Sequence, residues 1–127
     1  MIKNKNGTVI LFSGGIDSTV CLKLLIDQNI SLQALFIDYG QASSNREAAA
    51  VERLANYYDI LLERIRIKAD KNFSNGLIRG RNAFLVMSAL MYSKYESGTI
   101  TLGIHKGTGY KDSSSRCLRV LQKMINL

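Results

Sequence analysis

The segment TVILFSGGIDST, residues Thr8–Thr19, joins a predicted strand directly to a predicted helix. Its first five residues form an uninterrupted apolar run rich in β-forming side chains, which is typical of a strand buried on both faces. Gly14 and Gly15 follow closely, and apolar residues at helical spacing begin at Ile16. Backbone N–H groups in such a glycine turn and at a helix N-terminus point at an anion, so this layout predicts a phosphate-binding site.

The polar side chains of this segment suit phosphate and magnesium. Hydroxyl groups at Ser13, Ser18 and Thr19 can donate hydrogen bonds to phosphate oxygens. Asp17 lies in the first turn of the predicted helix, where a carboxylate stabilises the helix dipole or helps to hold Mg²⁺. A simple helix start capped by Ser and Asp is the alternative. The full SGGxDS string favours phosphate, although it has neither the GK[ST] ending of a Walker loop nor the G-x-G-x-x-G of a dinucleotide-binding turn.

Strand and helix patterns alternate along the rest of the chain. Short apolar runs predict strands at Thr8–Phe12, Leu32–Asp38, Ile60–Ile67 and Thr99–Ile104. Apolar residues at helical spacing predict helices at Ile16–Asp27, Ser44–Tyr58, Ala83–Tyr95 and Ser113–Leu127. This order predicts one α/β domain over residues 1–127, a three-layer sandwich around a mostly parallel sheet of about four or five strands. Ligands of such folds bind at the carboxyl ends of the strands.

Three segments carry a more specific expectation. In the first helix, Val20, Leu24 and Ile26 share helical spacing and are expected to face the core. The segment Ala83–Tyr95 is apolar on nearly every side, so a mostly buried helix is expected there. The longest irregular stretch, Lys68–Gly80, is basic, and a loop of that length inside a compact domain is usually functional or disordered.

The composition is that of a globular chain with a hydrophobic core: 127 residues, of which 46% are hydrophobic and 21% charged. No apolar run approaches the ~18 residues of a membrane helix and no secretory signal is expected, so the sequence predicts a cytoplasmic protein with no membrane partner. Cys21 and Cys117 lie far apart and have neither CxxC nor zinc-ligand spacing. They are expected to be core thiols in a reducing compartment.

Positive charge is concentrated in the second half of the chain. Residues 1–60 hold five basic and six acidic side chains, whereas residues 61–127 hold twelve basic and four acidic ones. This asymmetry suits an anionic ligand such as a nucleotide or a nucleic acid, but a solvated basic face would give the same charge distribution. The six tyrosines show no pattern of a base-stacking sheet, so a nucleic-acid partner is not expected.

The string SGGIDS, from Ser13 to Ser18, resembles the SGGxDS pattern of the PP-loop ATP pyrophosphatase family. Three further segments, in the same order, are similar to motifs of the 7-cyano-7-deazaguanine synthases within that family. They are FIDYGQ from Phe36, GRNAFL from Gly80, and Gly103 followed by GYKD from Gly109. The resemblance spans nearly the whole chain and implies a doubly wound parallel sheet of the adenine nucleotide alpha-hydrolase type.

The resemblance also implies a reaction. Members of the family cleave ATP between the α and β phosphates, and the synthases turn 7-carboxy-7-deazaguanine, ammonia and ATP into a cyano base, a queuosine precursor. ATP and Mg²⁺ are therefore the expected cofactors and a 7-deazaguanine-like carboxylate the expected small-molecule substrate. The residues expected to bind the nucleotide are Ser13, Gly14, Gly15, Asp17, Ser18, Thr19, Phe36, Arg81, Asn82 and Gly103. Each of three of these residues has a structural alternative to nucleotide binding. Phe36 can be a core residue, Arg81 a surface residue and Asn82 a helix cap.

Four residues are expected to act in catalysis and four to bind the acceptor. The expected catalytic residues are Asp17, also the expected Mg²⁺ ligand, Asp38, Lys106 and Lys111. The expected acceptor-binding residues are Tyr39, Gln41, Tyr110 and Asp112. Lys106 and Lys111 can neutralise charge on the departing pyrophosphate, with solvated lysines as the alternative. Asp38 and Asp112 can instead cap a loop and a helix, and a structural role is the alternative for Gln41 too.

The chain departs from the synthases on the acceptor side. Lys111 and Ser113 stand where the family has Pro and Cys, and the four-cysteine zinc site of the synthases has no counterpart, so no zinc site is expected. We expect a divergent ATP-dependent carbon–nitrogen ligase. The alternatives are a fragment, a catalytically incomplete nucleotide-binding subunit or sensor, and a tRNA-modification module.

The last predicted strand, Thr99–Ile104, is expected near an edge of a four-stranded sheet. An unpaired edge strand can pair with another chain. We therefore expect a homo-oligomer, or a hetero-partner that supplies the missing C-terminal part of the synthases.

Overall fold

The computed structural model describes residues 4–74, 76–104, 107 and 110–126. The strands are β1 (Asn4–Leu11), β2 (Leu32–Asp38), β3 (Leu62–Arg66) and β4 (Tyr95–Leu102). The helices are α1 (Ile16–Asp27), α2 (Ser44–Tyr58), α3 (Arg81–Tyr92) and α4 (Ser115–Ile125), with a 3-10 turn at Lys111–Ser113 before α4. The predicted alternation of strands and helices is confirmed.

In the part of the chain that the structure describes, all four strands run parallel, in the spatial order β3-β2-β1-β4. The chain passes from β1 through β2 to β3, and α3 then returns it to the other side of β1. The direction of winding therefore reverses beside β1, which opens a crevice between the carboxyl ends of β1 and β4. The turn that follows β1 lies at this crevice, where folds of this class bind their ligands.

Helices cover both faces of the sheet, which gives the predicted three-layer sandwich. On one face, Ile10, Phe12 and Phe36 pack with Leu22 of α1 and Val51 of α2. On the other face, the alternate residues of the same strands pack against α3 and α4. The uninterrupted apolar runs of β1 and β2 follow from this arrangement, since each strand is buried on both sides.

Two strands are longer than predicted. β1 begins at Asn4 and β4 at Tyr95, in each case four residues before the predicted start. The added residues pair with one another, with Gly7 opposite Gly98. These polar, glycine-containing segments carry no apolar pattern, so their pairing rests on backbone hydrogen bonds that sequence periodicity does not reveal. The helix predicted over residues 83–95 correspondingly ends at Tyr92.

The core-facing side of α1 includes Ile26, as predicted, but not Val20 or Leu24. Val20 and Leu24 are 53% and 57% exposed, whereas Leu22 is fully buried. Ser18, one turn before Leu22, faces the end of β1 because its hydroxyl accepts a hydrogen bond from the backbone N–H of Ser13. This contact sets the rotation of α1 about its axis and turns Val20 and Leu24 outward.

α3 is also less buried than predicted. Val86 and Ala89 face the sheet, but Leu90, Met91 and Tyr92 at the end of the helix are exposed. α3 lies in an outer layer, so only one of its sides contacts the sheet.

The described residues also settle the place of β4 in the sheet. β4 has a neighbouring strand on one side only, which confirms its predicted position at an edge.

Among the described helices, none has both the length and the apolar character needed to cross a bilayer.

Leu22→Ala is expected to lower the free energy of unfolding by about 2–5 kcal/mol, because it leaves a cavity in a close-packed core. Leu24→Ala removes the same atoms from an exposed position two residues away and is expected to change that free energy by less than about 1 kcal/mol. Urea unfolding followed by far-UV circular dichroism measures both variants. Equal losses would contradict the observed rotation of α1.

Candidate functional site

A cavity of about 220 Å³ opens at the crevice, and we call it the switch-point cavity. It is bounded by the carboxyl ends of β1, β2 and β4 and by the first turns of α1 and α3. Eight of the residues predicted to form the site line it: Ser13, Ser18, Phe36, Tyr39, Gln41, Arg81, Asn82 and Gly103. Segments that are far apart in the sequence thus meet around one cavity.

Other predicted residues lie outside the lining of this cavity. They are Gly14, Gly15, Asp17, Thr19, Asp38, Tyr110, Lys111 and Asp112. The first four belong to the turn after β1 and the start of α1, beside the lining residues of the same segment. Lys106 falls outside the described residues.

Hydroxyl groups hold the turn between β1 and α1. The Ser18 hydroxyl accepts from the N–H of Ser13 at 3.3 Å and donates to the carbonyl of Gly15 at 3.2 Å. The hydroxyls of Ser13 and Ser18 lie 3.2 Å apart, and that of Thr19 donates to the same Gly15 carbonyl at 2.7 Å. Gly15 is the N-cap of α1 and has no side chain to cap it, so N–H groups of the first turn can point at an anion.

Two glycines let backbone segments approach each other at the cavity. Gly14 has a left-handed φ of 77°, and a Cβ there would lie 2.7 Å from the Cβ of Ala50 on α2. A Cβ on Gly103 would lie 2.7 Å from the backbone nitrogen of Ser18 and 2.9 Å from the carbonyl carbon of Asp17. The missing side chain at Gly103, expected to leave room for a nucleotide, lets the end of β4 contact the first turn of α1.

Asp38 ends β2 and stabilises the turn that follows. One carboxylate oxygen accepts from the N–H of Gly40 at 3.1 Å, and the other lies 3.5 Å from Nε of Arg66 on β3. These contacts are those of a loop cap, the simpler of the two roles considered for this residue.

Tyr39 lies in an aromatic group at the rim of the cavity. Its ring is edge-on to Phe73 and Phe84, with ring centroids 5.9 and 5.8 Å apart. Burial raises the pKa of the Tyr39 hydroxyl above its ordinary value and the charge of Glu47 adds to this rise, while the charge and hydrogen bond of Arg81 oppose it. The hydroxyl is therefore neutral at physiological pH and lies beside a guanidinium group.

Gln41 joins the end of β2 to the first turn of α2. Its side-chain amide accepts from the N–H of Tyr39 at 2.9 Å and donates to the carbonyl of Ile37 at 3.1 Å and to the Glu47 carboxylate at 2.9 Å. Glu47 also accepts from the Ser43 hydroxyl at 2.6 Å. Both amide hydrogens of Gln41 and one acceptor site of its oxygen are thus engaged within the protein.

Asn82 connects α3 to the segment before α4. It is 2% exposed, and its side-chain amide donates to the backbone carbonyl of Asp112 at 3.1 Å. Both carboxylate oxygens of Asp112 are buried and have no hydrogen-bond partner among the described residues, an unfavourable state for an ionised group. Tyr110 and Lys111, which precede it, are exposed.

Three residues of the site, Glu47, Phe73 and Phe84, were not predicted. Glu47 has a sequence signal, since it is an acidic residue in the first turn of a predicted helix. Phe84 lies in the GRNAFL segment, but its contact with Tyr39 is not apparent from that motif. Phe73 lies in the irregular Lys68–Gly80 loop, and its place beside Tyr39 depends on long-range contacts that no local pattern shows.

The parallel sheet, the glycine turn after β1 and the cavity at the carboxyl ends of the strands define an α/β protein of the adenine nucleotide alpha-hydrolase fold. The chain belongs to the family described as queuosine biosynthesis protein QueC, whose model matches residues 7–76, more than half of the chain. The match includes the SGGIDS and FIDYGQ segments. It confirms the resemblance to the 7-cyano-7-deazaguanine synthases.

Individual relatives cover the chain to different extents. The 7-cyano-7-deazaguanine synthase 1 of Desulfitobacterium hafniense is 50% identical over 50 residues, which are 39% of this chain and 23% of that protein. The 7-cyano-7-deazaguanine synthase 2 of the same organism is 28% identical over an alignment of 142 positions, which covers 94% of this chain and 60% of that protein. The chain therefore spans less than two thirds of the length of either relative.

A solved structure shows the same fold. It is that of a "predicted subunit of tRNA methyltransferase" from Methanocaldococcus jannaschii, with a TM-score of 0.58 at 15% sequence identity. The similarity covers 98% of this chain and 65% of the other.

Gly103→Ala is expected to lower the free energy of unfolding by about 1–3 kcal/mol. The added Cβ would overlap backbone atoms of α1, which cannot move aside as a flexible side chain could. Gly15→Ala places a Cβ no closer than 3.5 Å to the Ser13 hydroxyl and serves as the control, with an expected loss below about 1 kcal/mol. Thermal unfolding by circular dichroism compares the two. A Gly103 variant as stable as the Gly15 variant would show that β4 and α1 are not in contact at this point.

Proposed function

We propose that the chain binds ATP at the switch-point cavity and adenylates a carboxylate, as a protein similar to 7-cyano-7-deazaguanine synthase. One observation carries this proposal: Ser13 and Ser18 of the SGGIDS segment line the same cavity as Arg81 at the start of α3. Two helix N-termini and a guanidinium around one cavity favour a polyanionic ligand. The names of the curated relatives support the class of reaction.

The phosphates of ATP, in this proposal, lie on the turn after β1. The hydroxyl of Ser13 turns from Ser18 to a phosphate oxygen, and the hydroxyl of Ser18 turns from the Gly15 carbonyl to a second phosphate oxygen. The described residues contain no cluster of three or more side chains that could hold a metal. The carboxylate of Asp17 is assigned to Mg²⁺. Such a site suits Mg²⁺, which combines one or two carboxylates with waters and phosphate oxygens and neutralises phosphate charge. Phe36, 4% exposed, lines the part of the cavity assigned to adenine.

The proposed reaction begins when an oxygen of the acceptor carboxylate attacks the α-phosphorus of ATP. The bond from the α-phosphorus to the oxygen that bridges it to the β-phosphorus breaks, pyrophosphate leaves and an acyl adenylate remains. Ammonia then attacks the acyl carbon and AMP leaves. Arg81 neutralises charge on the phosphates, and Lys106 and Lys111 are proposed to do the same for pyrophosphate. Such transfers depend mainly on position and charge, which this set of residues can provide.

The acceptor is proposed to be a small planar carboxylate such as 7-carboxy-7-deazaguanine. Tyr39 contributes a neutral hydroxyl at the rim of the cavity, next to Arg81. Tyr110 and Asp112 are assigned to the acceptor because they lie in the GYKD segment, which Asn82 connects to the cavity wall. Asp38 is assigned to orienting the acceptor or Mg²⁺ from the end of β2.

A catalytically incomplete nucleotide-binding subunit or sensor is the second candidate. It is favoured by Lys111 and Ser113, which stand where the synthases have Pro and Cys on the acceptor side. The edge position of β4 supports the related proposal of a second chain, either another copy or a hetero-partner. Light scattering at micromolar concentration measures the assembly, and a strictly monomeric species would contradict the homo-oligomer.

The reaction is tested by incubating the protein with Mg-ATP, with and without 7-carboxy-7-deazaguanine and ammonium, and measuring AMP and pyrophosphate. We expect acceptor-dependent release of AMP and pyrophosphate.

Arg81→Ala is expected to reduce kcat/KM by about 100-fold, because a guanidinium that contacts phosphate is lost. Arg79→Ala is the matched control, since Arg79 is an exposed arginine two residues earlier that does not line the cavity.

The outcomes separate the two candidates. Acceptor-dependent AMP that Arg81→Ala removes and Arg79→Ala retains supports the ligase. ATP binding without AMP release supports the nucleotide-binding subunit. A protein that neither binds ATP nor releases AMP contradicts both.

A further inference from the structure

We propose that Gln41 is a positioning residue, which holds Tyr39 and Phe73 at the rim of the switch-point cavity and donates no hydrogen bond to substrate. Gln41 lines the cavity but is only 8% exposed. The sequence motif alone assigns it to the acceptor, whereas its contacts assign it to the protein. The kinetic part of this inference rests on the proposed function, and the structural part does not.

The hydrogen bonds of Gln41 use both ends of its amide. Nε2 carries two hydrogens, which are donated to the carbonyl of Ile37 and to the Glu47 carboxylate. Oε1 accepts from the N–H of Tyr39. In the flipped orientation Nε2 would face an N–H donor and Oε1 would face two acceptors, so the partners allow one orientation only. A substrate could take a hydrogen from this amide only by breaking one of the internal bonds.

The backbone at Gly40 and Gln41 also contacts Phe73, which lies in the irregular segment before α3. Residue 41 forms an isolated parallel bridge with Phe73, and the N–H of Phe73 donates to the carbonyl of Gly40 at 3.0 Å. The ring of Phe73 in turn contacts that of Tyr39. The turn that Gln41 stabilises therefore holds both partners of this aromatic contact.

The contacts on the other side of Gln41 lead to α2. The Glu47 carboxylate accepts from the Gln41 amide and from the Ser43 hydroxyl. Gln41 and Glu47 thus form an amide–carboxylate pair that is nearly buried on the Gln41 side. Exchanging the two side chains preserves such a pair, whereas a change at Gln41 alone destroys it.

The structural test measures amide hydrogen exchange in the whole protein, for Gln41→Ala, Gln41→Glu, Glu47→Gln and the exchanged pair Gln41→Glu/Glu47→Gln. Gln28→Ala, at an exposed glutamine that ends α1, is the control. Loss of the Gln41 amide is expected to accelerate exchange at Tyr39 and Phe73 by about tenfold, with the amides of β1 unchanged. Gln41→Glu is expected to do the same by opposing two carboxylates. The exchanged pair, which regains the amide–carboxylate contact but not the hydrogen bond to the Ile37 carbonyl, is expected to recover part of the protection.

The kinetic test uses the AMP assay on the same variants. A positioning residue predicts that Gln41→Ala lowers kcat by about tenfold while the KM for the acceptor changes by less than about threefold, and that the exchanged pair regains activity. A substrate ligand predicts unchanged exchange at Tyr39 and Phe73, a raised KM for the acceptor, and no recovery in the exchanged pair. That result would overturn the inference.

The two proposals fail in different ways. If the unmodified protein releases no AMP, the proposed ligase function fails, and hydrogen exchange alone decides whether Gln41 holds the rim. Exchange at Tyr39 and Phe73 that is no faster in Gln41→Ala or Gln41→Glu than in Gln28→Ala would overturn the positioning role, whatever the activity. The isosteric Gln41→Glu and the exchanged pair keep this test available if Gln41→Ala folds poorly.

Discussion

The contact between β4 and the first turn of α1 determines the geometry around it. At Gly103 backbone meets backbone, and a single added carbon would lie 2.7 Å from the nitrogen of Ser18. No side chain can adjust this separation, so the distance between sheet and helix is fixed where the helix begins. Ser18 then faces Ser13, and the rotation that this requires buries Leu22 one turn later. The position of the first turn of α1 and the packing of the helix in the core therefore depend on the same contact.

Local patterns predicted the elements best where turn residues bound an apolar segment. β2, α1 and α2 have the bounds expected from the sequence, because glycine, serine or a change of polarity marks their ends. The start of β4 was not predictable in this way, since mostly polar residues and Gly98 pair there without an apolar alternation. The inward side of α1 was not predictable either. A helix with apolar residues on several sides offers more than one candidate face, and a hydroxyl contact at its first turn selected among them.

The candidate site shows a similar division. The glycines and hydroxyls after β1 were predictable because phosphate recognition by a turn and a helix N-terminus is local chemistry. The FIDYGQ and GRNAFL segments were found by resemblance, and the fold brings residues of both to one cavity. Phe73 and the engagement of Gln41 were not predictable, because both depend on which distant segments the parallel sheet brings together. A motif identifies the residues at a site, but only their contacts separate those that can meet a ligand from those that hold the others.

The hydroxyl groups after β1 have a consequence for selectivity. Ser13 and Ser18 bond to each other, and Ser18 and Thr19 donate to the carbonyl of Gly15. In the proposed function, a phosphate that binds here exchanges neutral hydrogen bonds for charge-assisted ones, so each hydroxyl adds only the difference between the two. A single inorganic anion gains no more than this difference. A polyphosphate gains more, because its charge also extends to the helix N-termini and to Arg81, and discrimination between long and short anions is the result.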